Sequence, residues 1–273
     1  MPHDPRPDQP HWQYKADNGF LDEFLWDDLY TSCSKVDVDI VNGKTRGITY
    51  DDLSDYAKLL LGSPPAGAGY YKDSRLYTAA YDAEIKYADW QVGRLLAALK
   101  EYDLFDNSLV VVLSDHGEDM TDHKPYFAHA ENLYQSLLHV PLMIKFPKQT
   151  SRVNVEDHVR TIDLFPTLFD YVGLKTGSST DGKSLIPALS GQEVDYEERP
   201  VISYVEYEGQ GKSVSLIKDG YKFLMIIRDD KKYYKLFNLE SDPGETNNIA
   251  KQKDSYSRIQ SFKEYLSNYY SFE

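Results

Sequence analysis

The chain has 273 residues, 41% of them apolar and 27% charged, values that fit a folded globular protein and exclude disordered and fibrous classes. Thirty Lys and Arg stand against 44 Asp and Glu, a net charge of −14, and so acidic a surface repels phosphate backbones and anionic lipid, which argues against nucleic-acid and membrane partners. No apolar run approaches the roughly 18 residues that a membrane span requires.

Residues 1–10 carry Pro2, Pro5, Pro7 and Pro10, which disfavour helix and ladder alike and predict an irregular strip. They contain neither the basic nor the apolar stretch of a secretory leader. Residues 31–50 alternate weakly and are expected to be irregular. One cysteine, Cys33, cannot form an internal disulfide, and a small thiol role is expected for it. Residues 62–69, with three glycines and two prolines, predict a loop.

From Ser74 to near Tyr102, Tyr81, Ile85, Ala88, Val92, Leu95 and Leu99 recur at steps of four and three, the spacing of one helical face. After Asp106-Asn107 comes a continuous β-branched run, 109–113, suited to a strand buried on both faces. A second run, 140–146, has Pro141 at its start, where a lost donor is tolerated. Helix followed by buried strand points to an α/β sheet. Asp163 is expected to cap a helix with Pro166 in its first turn and Gly173 at its end. Beyond Pro200, short alternating runs at 201–207, 213–218, 221–228 and 233–239 are separated by Asp219-Gly220 and Asp229-Asp230, which are turn chemistry. They predict a small antiparallel sheet closed by a terminal helix over 254–270.

The chemistry concentrates at Ser114-Asp115-His116-Gly117-Glu118, directly after the first buried run. Ligands of open α/β sheets bind beyond the carboxyl ends of strands, so a carboxylate and an imidazole there suit a metal or an anion. Asp115 offers a hard oxygen and His116 a borderline nitrogen, with Gly117 allowing a sharp turn. His123 and His129 follow in the same connection, which makes three histidines in 14 residues of a chain that has seven. His129 is near enough in sequence to fold back over the strand end. His123 is expected to be a solvated loop side chain, and Lys124 adds an anion contact.

These segments resemble the sulfatase family of the alkaline phosphatase superfamily. Tyr81-Asp82-Ala83-Glu84-Ile85 with Asp89 and Val92-Gly93 is similar to the family helix before its metal-binding strand, and 109–118 to that strand and its end. His129-Ala130, Leu133-Tyr134 and His139-Val140-Pro141-Leu142 resemble the next loop, helix and strand. Ile162-Asp163-Leu164-Phe165-Pro166-Thr167, Asp181-Gly182-Lys183-Ser184-Leu185 and 239–250 resemble the carboxyl-terminal signatures. Pro2-His3-Asp4-Pro5 is similar to a loop that brings a histidine to the substrate.

The resemblance implies an α/β, alkaline-phosphatase-like sandwich with a partial central sheet and flanking helices, and a small C-terminal antiparallel sheet with its terminal helix. The expected division is 1–199 for the catalytic part and 200–273 for the small subdomain. It implies sulfuric ester hydrolysis on a small molecule or glycan, with Asp115 and His116 as two ligands of a divalent metal. Calcium comes first for that metal; the imidazole also suits manganese or zinc. His129 would contact the sulfate and His3 would be the acid for the departing alcohol. The family's Cys-x-Pro-x-Arg or Ser-x-Pro-x-Arg motif, whose first residue becomes the formylglycine nucleophile, does not occur in the 273 residues, and Cys33 is followed by Ser34-Lys35-Val36-Asp37. The formylglycine is therefore expected in a missing amino-terminal half, the chain alone is expected to be inactive, and an exposed sheet edge would invite self-association. Phosphodiester or phosphonate monoester hydrolysis within the same superfamily, and a non-catalytic scaffold, are the competing readings.

Overall fold

The computed structural model describes residues 38–39, 45–46, 74–120, 122–124, 126, 132–174, 180–192, 199–207 and 211–269. The chain divides into two compact units, Met1–Gln149 and Thr150–Glu273. The segment around Asp163 shares the second unit with the terminal sheet.

In the first unit, two short strands, β1 (Val38–Asp39) and β2 (Thr45–Arg46), pair antiparallel inside the stretch expected to be irregular. Helix α1 (Ser74–Glu101) follows. It ends in a paired C-terminal lock: Asp103 takes a left-handed conformation, its amide donates to Lys100 O, and Leu104 N donates to Leu99 O. The predicted apolar face is not covered along its length, because Ile85 and Leu95 are 46% and 62% exposed. Periodicity says which residues share a face; a covering layer is a separate matter of packing.

Strand β3 (Val110–Leu113) pairs antiparallel with β4 (Leu142–Lys145), Val110 opposite Lys145 and Leu113 opposite Leu142. The expectation of a strand buried on both faces fails here. Its first three residues are half-buried and Leu113 is exposed, since β4 is its one strand neighbour among the described residues. Between the two strands lies the short helix α2 (Gln135–Leu138).

In the second unit, a 3-10 turn (Thr161–Asp163) runs into helix α3 (Leu164–Tyr171). Gly173, at φ +71°, closes it as expected, with Leu174 N donating to Phe169 O. Asp163, however, does not cap α3 with its side chain. Its fully buried carboxylate accepts the amides of Arg160 (2.9 Å) and Lys183 (2.8 Å) and pairs at 3.1 Å with the guanidinium groups of both Arg160 and Arg199. Thr167 Oγ1 continues the join, donating to Asp163 O and accepting Leu185 N. A Cβ on Gly182 would overlap the Ile162 carbonyl oxygen, which is why Asp181-Gly182-Lys183 can lie against this turn. The short helix α4 (Ile186–Leu189) follows.

The terminal sheet is an antiparallel meander in the order β5 (Val201–Tyr207), β6 (Gly211–Lys218), β7 (Tyr221–Arg228), β8 (Lys231–Asn238). Both tight turns have positive φ at their two central residues, Asp219 and Gly220 in one, Asp229 and Asp230 in the other, the handedness that matches strand twist. Leu216, Phe223 and Leu236 stand in one cross-strand row, completely buried in a cluster with the buried Ile259, Phe262 and Leu266 of α5 (Tyr256–Ser267). At about 1.5–3 kcal/mol for each large apolar side chain, this row and helix are the main hydrophobic contribution of the unit. The opposite face buries Lys222, whose Nζ lies 2.7 Å from Glu245. Burial lowers the Lys222 pKa and the Glu245 carboxylate pulls it part of the way back. As expected, 242–248 is a structural turn: the Asp242 carboxylate accepts the amides of Thr246 and Asn247, and Asn248 Oδ1 accepts Leu236 N.

Burial by itself would raise the Asp163 pKa, but the donors from Lys183 and Arg160 outweigh it and hold the carboxyl below its ordinary value. The linked stability is therefore present above the unfolded pKa of about 3.9 and is lost as pH falls through the folded value. Asp163→Asn should cost about 3–5 kcal/mol at neutral pH, because two buried guanidinium groups lose their counter-charge. In urea titrations its stability should also fall less than wild type between neutral and acidic pH, and parallel curves would remove Asp163 from this role.

Candidate metal-binding site

The site begins where β3 leaves its ladder. Ser114 N makes the last rung to Pro141 O (3.3 Å), and Ser114 Oγ donates to His116 O (2.6 Å). Gly117 N then donates to Leu137 O at 2.8 Å. A Cβ on Gly117 would overlap the Ser136 carbonyl oxygen, so the strand end and α2 meet backbone to backbone, an approach that glycine alone permits.

This contact leaves Asp115 and His116 side by side. The Asp115 side chain is 72% exposed, and its Oδ1 accepts His116 N at 2.9 Å. His116 Nδ1 lies 2.7 Å from Gly117 O. A carbonyl oxygen only accepts, so Nδ1 carries the proton and the lone pair of the neutral ring sits on Nε2. A backbone carbonyl holding the far nitrogen is the usual arrangement behind a metal-ligating histidine. Nε2 is 4.0 Å from Asp115 Oδ1. With bonds of about 2.0–2.4 Å, one ion can reach both atoms. The pair fits a divalent ion by donor chemistry, the carboxylate suiting calcium or manganese and the imidazole manganese or zinc. Among the described residues no group of three or more His, Cys, Asp or Glu is set to hold a metal, so the pair is a partial ligand set.

The next residues differ from expectation. His123 is not a solvated side chain. Its ring is 11% exposed, stacks on Tyr134 with centroids 3.5 Å apart and planes 6° from parallel, and has Nδ1 3.4 Å from Asp119 Oδ2. Asp119 is completely buried, accepting His123 N on Oδ1 and Asn132 Nδ2 on Oδ2. Sequence reasoning missed Asp119, although its spacing of four residues from His123 was a visible signal. Lys124 lies over the Tyr126 ring, 5.5 Å from its centroid. Tyr81 of α1 has its pKa raised, chiefly by burial and then by the negative charges of Glu118 and Asp82, so this part of α1 lies within electrostatic reach of the strand end. His129, His3 and Cys33 lie outside the described residues.

Comparison with known proteins gives two matching family profiles, Sulfatase over residues 3–174 and N-sulphoglucosamine sulphohydrolase, C-terminal, over residues 125–271. The chain belongs to the sulfatase family. It has the alkaline-phosphatase-like α/β fold of its structural neighbours, with the small C-terminal antiparallel sheet and terminal helix. It is 30% identical to arylsulfatase K of Xenopus laevis over 189 residues, 66% of this chain and 34% of that protein. To the Delta 4,5-hexuronate-2-O-sulfatase of Bacteroides thetaiotaomicron it is 30% identical over 191 residues, 68% of this chain and 39% of that one. Among solved structures, the phosphonate monoester hydrolase of Silicibacter pomeroyi superposes with a TM-score of 0.63 at 25% identity, covering 71% of this chain and 41% of the hydrolase. The chain thus spans little more than a third of the length of these curated sulfatases.

Within this sulfatase chain, Gly117→Ala is the smallest change that separates the strand end from α2. It should cost about 1–3 kcal/mol by overpacking and accelerate amide exchange at Gly117 and Leu137 relative to the terminal sheet. Unchanged exchange at both would show that the contact is not tight.

Proposed function

We propose that this chain supplies the metal-ligating strand end and the C-terminal sheet of a sulfuric ester hydrolase acting on a sulfated small molecule or glycan. The observation that carries the reading is the Asp115–His116 pair, adjacent at the end of β3 with the imidazole lone pair directed to Nε2. Cleaving a sulfate ester takes an in-line nucleophile, positive charge near the sulfuryl oxygens and a proton for the departing oxygen. Asp115 and His116 would hold a divalent ion, calcium first and manganese or zinc next, and that ion when bound offsets charge on the sulfuryl oxygens. His129 would contact the sulfate. His3, whose ordinary pKa lies near neutrality, would give the proton to the leaving alcohol.

The nucleophile, a formylglycine, would come from sequence outside these 273 residues, since neither Cys-x-Pro-x-Arg nor Ser-x-Pro-x-Arg occurs in them. The likeness to a hexuronate-2-O-sulfatase supports a sulfated glycan as substrate. The likeness to a phosphonate monoester hydrolase favours one second reading, hydrolysis of a phosphonate monoester at the same pair. Exposed Leu113 and Met143 on the β3–β4 sheet support self-association of the chain by itself, which light scattering should register as dimers or larger species; a monomer at high concentration would count against it.

The decisive experiment compares an aryl sulfate and an aryl phosphonate monoester as substrates for this chain alone and for a polypeptide joining it to the nucleophile motif. The expected result is no turnover by the chain alone and sulfate ester hydrolysis by the joined form. In the joined form, Asp115→Asn should lower kcat/KM by roughly 10²–10³-fold, the scale of losing one transition-state charge contact. Turnover by the chain alone would contradict the missing nucleophile, and preference for the phosphonate would establish the second reading.

A further inference from the structure

Asp119 is completely buried, the most deeply buried acid among the described residues of the first unit, and nothing in the proposed chemistry uses it. Its contacts form a closed chain that ends at the metal-ligating pair. Its Oδ1 accepts His123 N (3.2 Å) and its Oδ2 accepts Asn132 Nδ2 (3.0 Å), joining residues 13 apart in sequence. Asn132 Oδ1 in turn accepts Tyr134 N (3.1 Å), while the His123 ring lies flat on the Tyr134 ring. Tyr134 O accepts Leu137 N and Leu138 N, which opens α2. Leu137 O takes Gly117 N, and Gly117 O takes His116 Nδ1.

The physical case rests on α2. Four residues of helix have no stability of their own, because nucleation outweighs so few hydrogen bonds, so its placement against Gly117 depends on what holds its first turn. That hold comes from Asn132 and His123, and both are fixed by one carboxylate. A carboxylate removed from water is retained only where donors satisfy it, and here the donors are the two stems of a single connection. We infer that Asp119 is a positioning residue for the metal-ligating histidine: through Asn132, Tyr134 and α2 it sets the Gly117 carbonyl that keeps the proton on His116 Nδ1 and the lone pair on Nε2. The inference rests on the proposed metal role of Asp115 and His116.

Two readouts on the chain as it stands test it. Nitrogen-15 spectra of the His116 ring, taken at a pH where the ring is neutral, report which nitrogen carries the proton, without any metal. Selective line broadening of the same ring by added Mn²⁺ reports occupancy of the strand end. Wild type should show the Nδ1-protonated form. In Asp119→Asn and Asn132→Ala, checked for folding by circular dichroism and by their terminal-sheet signals, the ring should shift toward the other tautomer. The Mn²⁺ midpoint should rise by roughly 10–100-fold, as for lost partners behind a metal ligand. Folded variants that keep both the wild-type tautomer and the wild-type midpoint would overturn the inference. If neither variant folds, Asp119 is a folding anchor rather than a positioning residue, which also overturns it. Asp115→Asn and His116→Ala serve as a separate control: if they leave Mn²⁺ broadening at the strand end unchanged, the metal reading fails, whereas the tautomer measurement still decides the role of Asp119.

Discussion

The amide of Gly117 donates to Leu137 O at 2.8 Å across a gap that has no room for a side chain. The end of β3 and the start of its connection are arranged around that contact. It ends the β3 ladder, brings α2 onto the strand end, and leaves the Gly117 carbonyl facing His116 Nδ1. The adjacent Asp115 is turned to water and His116 is half-buried, so the pair can meet a ligand without giving up its support. The chemistry of the two side chains is thus a consequence of where the backbone is forced to turn.

Each unit fastens its irregular segments with one buried aspartate. Asp119 joins the stems of the connection after β3, and Asp163 joins the turn before α3 to the segment at 181–185 and to Arg199. Such a group costs desolvation energy, and retaining it is worthwhile only when its acceptor sites are filled. Asp163 fills them with two amides and two guanidinium groups. Asp119 fills them with the His123 amide, the Asn132 side-chain amide and the ring of His123.

Local patterns were legible in the sequence. The four terminal strands, the two aspartate turns between them and the closing helix follow from alternation and turn chemistry, since each is settled within a few residues. Helix α1 and the end of α3 at Gly173 follow in the same way, and the ordered motifs led to the sulfatase family. What escaped depends on partners distant in sequence. Asp163 looked like a helix cap because two of its partners, Lys183 and Arg199, are 20 and 36 residues away. His123 looked solvated because the ring and carboxylate that enclose it are brought together only when α2 docks. The apolar run at β3 suggested burial on both faces, yet hydrophobicity records a capacity for burial, and packing decides how much of it is realised. Asp115 and His116 stand out in the sequence because a strand end is itself a local feature.

On the proposed reading, Asp115 and His116 form one half of an ion-holding site. Crystals soaked in manganese and measured at its absorption edge test it most directly. An anomalous peak is expected within bonding reach of both Asp115 Oδ and His116 Nε2. Manganese bound at other carboxylates, beside an ordered but unvisited Asp115–His116 pair, would contradict it.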